Sequence, residues 1–183
     1  MKKKLIIIIL VVLVIVSAVV VLFMNGNVEY ETNEIQPEEE ISDDQLRQTM
    51  ISLYFVDINS GKLESEAKLI DAKVLLSNPY EVLVNYLIEG PKSSLLKKVI
   101  PEGTKLNSAT LKAGTLYIDF SNEFVENQEE GEIAESNTIY SIINTVTELN
   151  EVNSVKILIN GEENKSFKDN KINFSEAFVR KDI

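Results

Sequence analysis

The segment EIAESNTIYSIINTVTEL, residues 132–149, carries the clearest structural signal in this chain of 183 residues. Its large apolar side chains recur at helical spacing and form one stripe along a helix: Ile139, Ile142, Ile143, Val146 and Leu149. A second helix is predicted upstream, where Asn78 caps it, Pro79 takes the first helical position and Gly90-Pro91 ends it. The chain therefore contains two amphipathic helices, each with one apolar face for a core.

A hairpin is predicted before the first helix, because apolar and polar residues alternate there. Residues 51–55 and 63–69 form its two strands, and Asn59-Ser60-Gly61 supplies the turn. The charged residues of the second strand are predicted to lie on its wet face: Glu64, Glu66 and Lys68.

A second hairpin is predicted between the two helices. It joins residues 105–111 to residues 115–120 through the turn Lys112-Ala113-Gly114. Residues 155–159 form a last main strand, which Asn160-Gly161 closes with a strong turn signal. The short stretch Ser93–Val99 is expected to add a helical turn.

The element order β-β-α-β-β-α-β predicts an α+β fold. We expect a two-layer sandwich with two helices on one face of a mixed sheet, since alternation along the strands fits a sheet covered on one side. The C-terminal residues are too apolar for a disordered end, and we expect them to add an edge strand or to pack against the core: Phe167, Ile172, Phe174, Phe178 and Val179.

The N-terminal region, residues 1–24, has the pattern of a membrane anchor. Three lysines at positions 2–4 precede an uncharged apolar run at residues 5–24, and twenty helical residues cover roughly 30 Å, the thickness of a bilayer core. The alternative is a cleaved signal peptide with a weak site at Val16-Ser17-Ala18. The lysines favour a cytoplasmic N-terminus, so we predict a single-pass protein of the cell membrane with an extracytoplasmic C-terminal domain.

Residues 25–46 differ from both of their neighbours in composition. They contain eight acidic residues and no Lys or Arg, and such a segment buries too little apolar surface to offset its ordering entropy. We predict an extended acidic spacer that leads to a folded domain at residues 47–183. That domain carries no basic stripe, so nucleic-acid binding is disfavoured.

The composition excludes several classes of chemistry. The chain has no His, no Cys and no Trp, so it cannot form a Ser-His-Asp or Cys-His site, a disulfide or a thiolate metal site. Acidic residues are the remaining candidates for a site: Asp119, Glu123, Glu126, Glu129, Glu130, Glu132 and Glu135.

By residue type alone, these acids fit a paired-carboxylate glycosidase site or a calcium-binding loop. The domain offers no Trp platform for a sugar, and the spacing does not match an EF-hand, so we expect a solvated acidic loop. No catalytic residue, cofactor site or metal site is predicted. Five tyrosines are expected to be core and interface residues: Tyr54, Tyr80, Tyr86, Tyr117 and Tyr140.

A series of short motifs follows the predicted elements in a fixed order. The motifs are Glu89-Gly90-Pro91, Ile100-Pro101 with Gly103-Thr104, Ile118-Asp119-Phe120-Ser121 with Phe124, and Ile159-Asn160-Gly161. In order and spacing this series resembles the GerMN domain, the sporulation and spore-germination module of endospore-forming bacteria. The resemblance covers about Met50 to Gly161, in a single copy.

The resemblance implies a non-catalytic extracytoplasmic interaction module in an envelope complex for sporulation or spore germination. Its expected partners are envelope or sporulation proteins, or a second copy of the chain. Germination lipoproteins of this kind are usually anchored through a lipidated Cys, which this sequence lacks, so residues 5–24 would replace the lipid. The alternative is a binding protein for a small ligand or a cell-wall glycan, with Asp119 or Tyr117 on its receptor surface.

Overall fold

The computed structural model describes residues 12–21 and 47–181. Helix α1 covers residues 12–21, and in the described part of the chain no helix is both long and apolar enough to cross a membrane. The other residues of the predicted anchor at 5–24, and the whole acidic spacer at 25–46, lie outside the described residues. The anchor and the spacer therefore stay predictions.

The folded unit has an α+β fold, as the sequence predicts. Its elements are β1 (Gln48–Asp57), β2 (Leu63–Asp71), α2 (Ala72–Ser77), α3 (Pro79–Glu89), β3 (Leu96–Lys97), β4 (Leu106–Lys112), β5 (Thr115–Phe120), α4 (Glu123–Glu126), α5 (Glu132–Val146) and β6 (Ser154–Ile159). The two predicted helices are α3 and α5. The short α2 and α4 were not predicted.

The strands form two three-stranded sheets, so the prediction of one mixed sheet is wrong. One sheet has the order β2-β1-β3 and is antiparallel, and the other has the order β4-β5-β6. In the second sheet β4 and β5 are antiparallel, whereas β5 and β6 are parallel. Helix α4 and helix α5 make the crossover between β5 and β6.

The predicted turns are confirmed, and glycine is required at two of them. Asn160 and Gly161 have φ angles of 50° and 77°, which only a turn of the hairpin type combines at low cost. Gly114 has a φ of 81°, and a Cβ there would lie 2.5 Å from Nδ2 of Asn153. Helix α3 begins as predicted, because Oδ1 of Asn78 accepts the amide of Glu81 at 3.3 Å.

The predicted wet face of β2 is wrong for Glu66 and Lys68, which contact α3 and the residues after it, whereas Glu64 is exposed as predicted. Leu69, on the opposite face, is 61% exposed. The Glu66 carboxylate accepts the backbone amides of Lys92 and Ser93 at 3.0 and 2.7 Å, and Nζ of Lys68 lies 3.6 Å from the ring centroid of Tyr86. These partners satisfy polar groups that simple alternation assigns to solvent.

The helical turn expected at Ser93–Val99 is also wrong. This stretch contains β3, which pairs with Val56 and Asp57 of β1. The amide of Ile58 extends the pairing by donating to the carbonyl of Leu95 at 3.0 Å. Strand pairing succeeds here because the chain leaves α3 beside the open edge of β1, whose backbone groups need partners.

The C-terminal residues after β6 pack against the core, as predicted. Phe167 and Phe174 are fully buried, and the ring of Phe167 contacts the rings of Phe124 and Phe174 at centroid distances of 5.6 and 5.0 Å. Phe178 pairs with Val155 of β6 through two backbone hydrogen bonds of 2.8 Å. Val179 instead remains exposed.

Helix α5 contacts the remaining edge of β1 through hydroxyl groups. The amide of Tyr54 donates to Oγ1 of Thr145 at 3.0 Å, and the hydroxyl of Ser141 donates to the carbonyl of Tyr54 at 2.5 Å. One helical turn earlier, the hydroxyl of Thr138 donates to the carbonyl of Val99 at 2.9 Å. We call Thr138, Ser141 and Thr145 the hydroxyl row. Ser141 and Thr145 of this row cover an edge of β1 that would otherwise be available to another strand.

The predicted apolar stripe of α5 lies beside the hydroxyl row. Ile139, Ile142, Ile143 and Val146 are all fully buried, and they belong to a single core cluster with residues of both sheets. Helix α5 therefore joins the two sheets by an apolar face and closes β1 by a polar one.

The hydroxyl row predicts a specific loss of stability. Thr145→Val preserves the shape of the side chain but leaves the half-buried amide of Tyr54 without an acceptor. We expect the free energy of unfolding to fall by about 1–3 kcal/mol, measured by urea unfolding of residues 41–183. Thr110→Val on the exposed side of β4 is the matched control and should change it by less than about 0.5 kcal/mol. Equal effects of the two variants would contradict the role of the row.

Candidate interaction surface

The outward side of α5 is the candidate interaction surface of the domain. Three cavities border it, and residues of α5 line all of them: Glu132, Ser136, Asn137 and Tyr140 each line two. Ile133, on the first turn of the helix, is 76% exposed. We call the outward side of α5, together with these cavities, the α5 surface.

The largest cavity has a volume of about 580 Å³ and lies at the start of α5. Strand β3, the loop at residues 128–131 and the first turns of α5 form its walls. Gln128 lines it and is buried, and its Oε1 atom has no hydrogen-bond partner among the described residues. Charges of both signs lie around it, since Nζ of Lys97 pairs with Glu129 at 2.9 Å.

Two smaller cavities, of about 370 and 320 Å³, lie further along α5. Both are lined by Ser136, Tyr140 and Lys181. Nζ of Lys181 lies 4.7 Å from the ring centroid of Tyr140, within the range of a cation–π contact. The 370 Å³ cavity also reaches the turn between β1 and β2, where Asn137 donates to the carbonyl of Gly61 at 3.4 Å.

Arg180 fixes the C-terminal segment against the far end of the α5 surface. Its guanidinium donates to Glu148 at 2.8 Å and to the hydroxyl of Tyr54 at 2.9 Å. The Tyr54 hydroxyl donates in turn to Glu148 at 2.9 Å. Burial raises the pKa of Tyr54, and the hydrogen bond to Glu148 adds to that shift, so this phenol stays protonated and can donate.

Glu135 is the acidic residue with the most perturbed environment. It is only 1% exposed, and burial raises its pKa from the ordinary 4.5 to about 7, with a further contribution from Asp169. The backbone amide of Lys171 donates to Asp169 at 3.0 Å and lowers the pKa of that carboxyl. A protonated Glu135 can therefore donate to an ionised Asp169, which ties α5 to the C-terminal segment.

The other acidic candidates do not converge on one site. Asp119 accepts the backbone amide of Gly161, 42 residues further along the chain, at 2.8 Å. Glu126 accepts from Asn122, and a hydrogen bond from Ser121 lowers the pKa of Glu123. Among residues 12–21 and 47–181, no group of three acidic side chains is placed to hold a metal ion.

The tyrosines are spread over the domain, and all five are half-buried. Tyr80 donates to Glu151 at 3.3 Å, and Tyr86 lies under Lys68. Tyr117 lies under Lys112, with Nζ 5.2 Å from the ring centroid. Of the five, only Tyr140 lines any of the three cavities described here, and it lines the two smaller ones. The alternative receptor residues Asp119 and Tyr117 line none of these three.

Sequence reasoning missed the buried polar residues of α5. Thr138, Ser141, Asn144 and Thr145 are all almost completely buried, yet polar residues in a helix are normally expected to face solvent. Their spacing of three and four residues was a usable signal, since it places them on one side of the helix.

The fold is shared by solved structures of GerMN domains. The tandem GerMN domains of the sporulation protein GerM from Bacillus subtilis align with a TM-score of 0.62 and 24% identity over 79% of this chain and 50% of that one. The first GerMN domain alone gives a TM-score of 0.60 and 26% identity, over 73% of this chain and 99% of that one. These likenesses define an α+β domain of the GerMN type.

The sequence comparison gives the family. Residues 52–165, more than half of the chain, match the family Germane, described as sporulation and spore germination, and the chain belongs to this family. Spore germination protein GerM of Bacillus subtilis (strain 168) is 31% identical over 137 residues. That match covers 73% of this chain and 36% of GerM, so the chain spans about a third of that relative.

A third solved structure has a similar fold. A Clostridium perfringens protein described as a lipoprotein aligns with a TM-score of 0.50 and 29% identity, over 76% of this chain and 92% of that one. The family match and the solved GerMN domains confirm the resemblance to GerMN domains that the motif series predicted.

The buried Glu135 makes stability depend on pH. Because its folded pKa is raised, its stabilising contribution is complete below pH 4.5 and is lost as the pH rises toward 7. We expect unfolding free energy to fall by roughly 3 kcal/mol over this range. Asp169, whose pKa is lowered, makes the free energy of unfolding rise with pH, and it does so only at pH values more acidic than this range.

Urea unfolding across this pH range checks the assignment. Glu135→Gln keeps a hydrogen-bond donor but cannot titrate, so its stability should be nearly flat between pH 4.5 and 7. Glu132→Gln, an exposed change on the same helix, should keep the slope of the unmodified chain. A Glu135→Gln variant that retains the full slope would show that another group is responsible.

Proposed function

We propose that this chain is a membrane-anchored, non-catalytic, extracytoplasmic interaction module of an envelope complex in sporulation or spore germination. The observation that carries this proposal is the match of residues 52–165 to the sporulation and spore germination family. GerM, the relative with 31% identity, is named as a spore germination protein, which supports the same process for this chain.

The α5 surface is the part of the domain best suited to a protein partner. It combines an exposed apolar residue, Ile133, with three adjacent cavities and charges of both signs. Protein interfaces combine apolar anchors with polar groups in this way. The partner we propose is an envelope or sporulation protein, or a second copy of the chain.

The environment of the acidic residues supports a non-catalytic role. The chain has no His or Cys to act as base or nucleophile. Asp119 already accepts the backbone amide of Gly161 in the turn after β6, and Glu135 is enclosed beside Asp169 and lines none of the three cavities. Such carboxyl groups are used to hold the fold together.

The anchor follows from the N-terminal sequence together with the envelope link of a relative. The Clostridium perfringens protein described as a lipoprotein shares this fold, but a lipid on sulfur is not available to a chain without Cys. We propose that residues 5–24 hold the domain at the membrane instead, with lysines 2–4 in the cytoplasm.

A single engineered cysteine tests location and partner together, because the chain has no other thiol. Ile133→Cys is labelled in intact protoplasts of sporulating cells with a membrane-impermeant thiol reagent that carries a photo-crosslinker. We expect labelling from outside, followed by crosslinks to an envelope protein or to a second copy of this chain.

Thr110→Cys, exposed on β4, is the matched control, and it should be labelled equally but crosslinked much less. Labelling of Ile133→Cys only after the cells are lysed would contradict the extracytoplasmic location. Equal crosslinking from both positions would contradict the α5 surface as the contact face.

A further inference from the structure

The 370 Å³ cavity has a charge opposite to that of the domain around it. Residues 47–183 contain 15 basic and 21 acidic residues, yet among the residues that the structure describes the charged ones lining this cavity are two lysines, Lys62 and Lys181. The rest of its lining is polar, aromatic or apolar: Gly61, Leu63, Ser136, Asn137, Tyr140 and Asn144.

Neither lysine is neutralised within the described part of the chain. Lys62 and Lys181 form no ion pair with any residue of 12–21 or 47–181, and Lys181 instead rests against the ring of Tyr140. Two ammonium groups around one concave surface, without an ion-pair partner in that part of the chain, favour an anionic occupant.

Asn144 adds an unsatisfied amide to the wall of the same cavity. It is fully buried on α5, and neither its Nδ2 nor its Oδ1 atom has a hydrogen-bond partner among the described residues. A buried amide without partners is costly. A peptide group offers one N–H donor and one carbonyl acceptor. These are the two partners that the Oδ1 and Nδ2 atoms of Asn144 lack.

We propose that this cavity binds an acidic peptide segment of a partner protein. A carboxylate of the segment pairs with Lys62 and Lys181, a peptide group reaches Asn144, and side-chain methylenes lie on Tyr140. Charge complementarity selects this occupant over a basic or neutral segment. The inference rests on the proposed function, since it names the chemistry of the partner at the α5 surface.

Binding of a fluorescent hexaglutamate peptide to the full chain in detergent micelles tests this, with fluorescence anisotropy at near-physiological salt as the measurement. We expect saturable binding of hexaglutamate and none of hexaglutamine. Lys62→Gln and Lys181→Gln should each weaken binding by about threefold, and the double variant by about tenfold.

Lys112→Gln is the matched control, because Lys112 lies over Tyr117 as Lys181 lies over Tyr140 but does not line the cavity. It should bind hexaglutamate as the unmodified chain does. Equal losses in Lys112→Gln and Lys181→Gln would overturn the proposal in favour of diffuse charge attraction. Equal binding of hexaglutamine would overturn the proposal that the ligand is anionic. Equal binding of free glutamate would overturn the proposal that the ligand is a peptide.

Asn144→Leu separates a binding role from a structural one. If the amide serves a partner, this nearly isosteric change removes an unsatisfied group, so the melting temperature should stay or rise while hexaglutamate binding falls. A lower melting temperature with unchanged binding would overturn the role of Asn144.

The lysine variants also distinguish this proposal from the proposed function. In the protoplast experiment, Lys62→Gln/Lys181→Gln should strongly reduce the crosslinks formed from Ile133→Cys. Crosslinks that persist at an unchanged level would be compatible with the proposed interaction function but would overturn the role of the cavity in binding an acidic segment. If the chain binds hexaglutamate but forms no crosslinks to an envelope protein or to a second copy, peptide binding by the cavity would stand and the proposed interaction function would be overturned.

Discussion

The structure depends on how the backbone of Tyr54 is satisfied at the edge of β1. This residue sits where β1 extends beyond the short pairing with β3, and its amide and carbonyl are bonded to Thr145 and Ser141 of α5. A buried edge without partners would cost free energy at each group. Because α5 supplies these partners, this edge of β1 is not available for pairing with a strand of the second sheet. The domain therefore has two small sheets joined by α5.

This arrangement gives α5 three different sides. The apolar stripe enters the common core, the hydroxyl row closes β1, and the remaining side faces outward between three cavities. The C-terminal segment borders the last side, where Arg180 bonds Glu148 and Tyr54. The contacts that build the fold thus also position the α5 surface, and a rigid helix is a good support for a binding surface.

Features set by neighbouring residues were predictable from the sequence, whereas those set by distant ones were not. The stripe from Ile139 to Val146 and the Asn160-Gly161 turn follow from local spacing and backbone preference. The prediction of the wet face of β2 failed because the Glu66 carboxylate accepts the backbone amides of residues 92 and 93. Alternation along the strand cannot reveal such distant partners. The cavity beside Tyr140 exists only after residues 61–63, α5 and Lys181 come together in space.

Hydrogen exchange at the amide of Tyr54 tests the central claim most directly, because it reports on the bond between β1 and α5 without any substitution. We expect this amide to exchange as slowly as that of Leu53, which lies in the pairing of β1 with β2. Exchange of the Tyr54 amide at the rate of an unstructured peptide, while the Leu53 amide stays protected, would contradict the account.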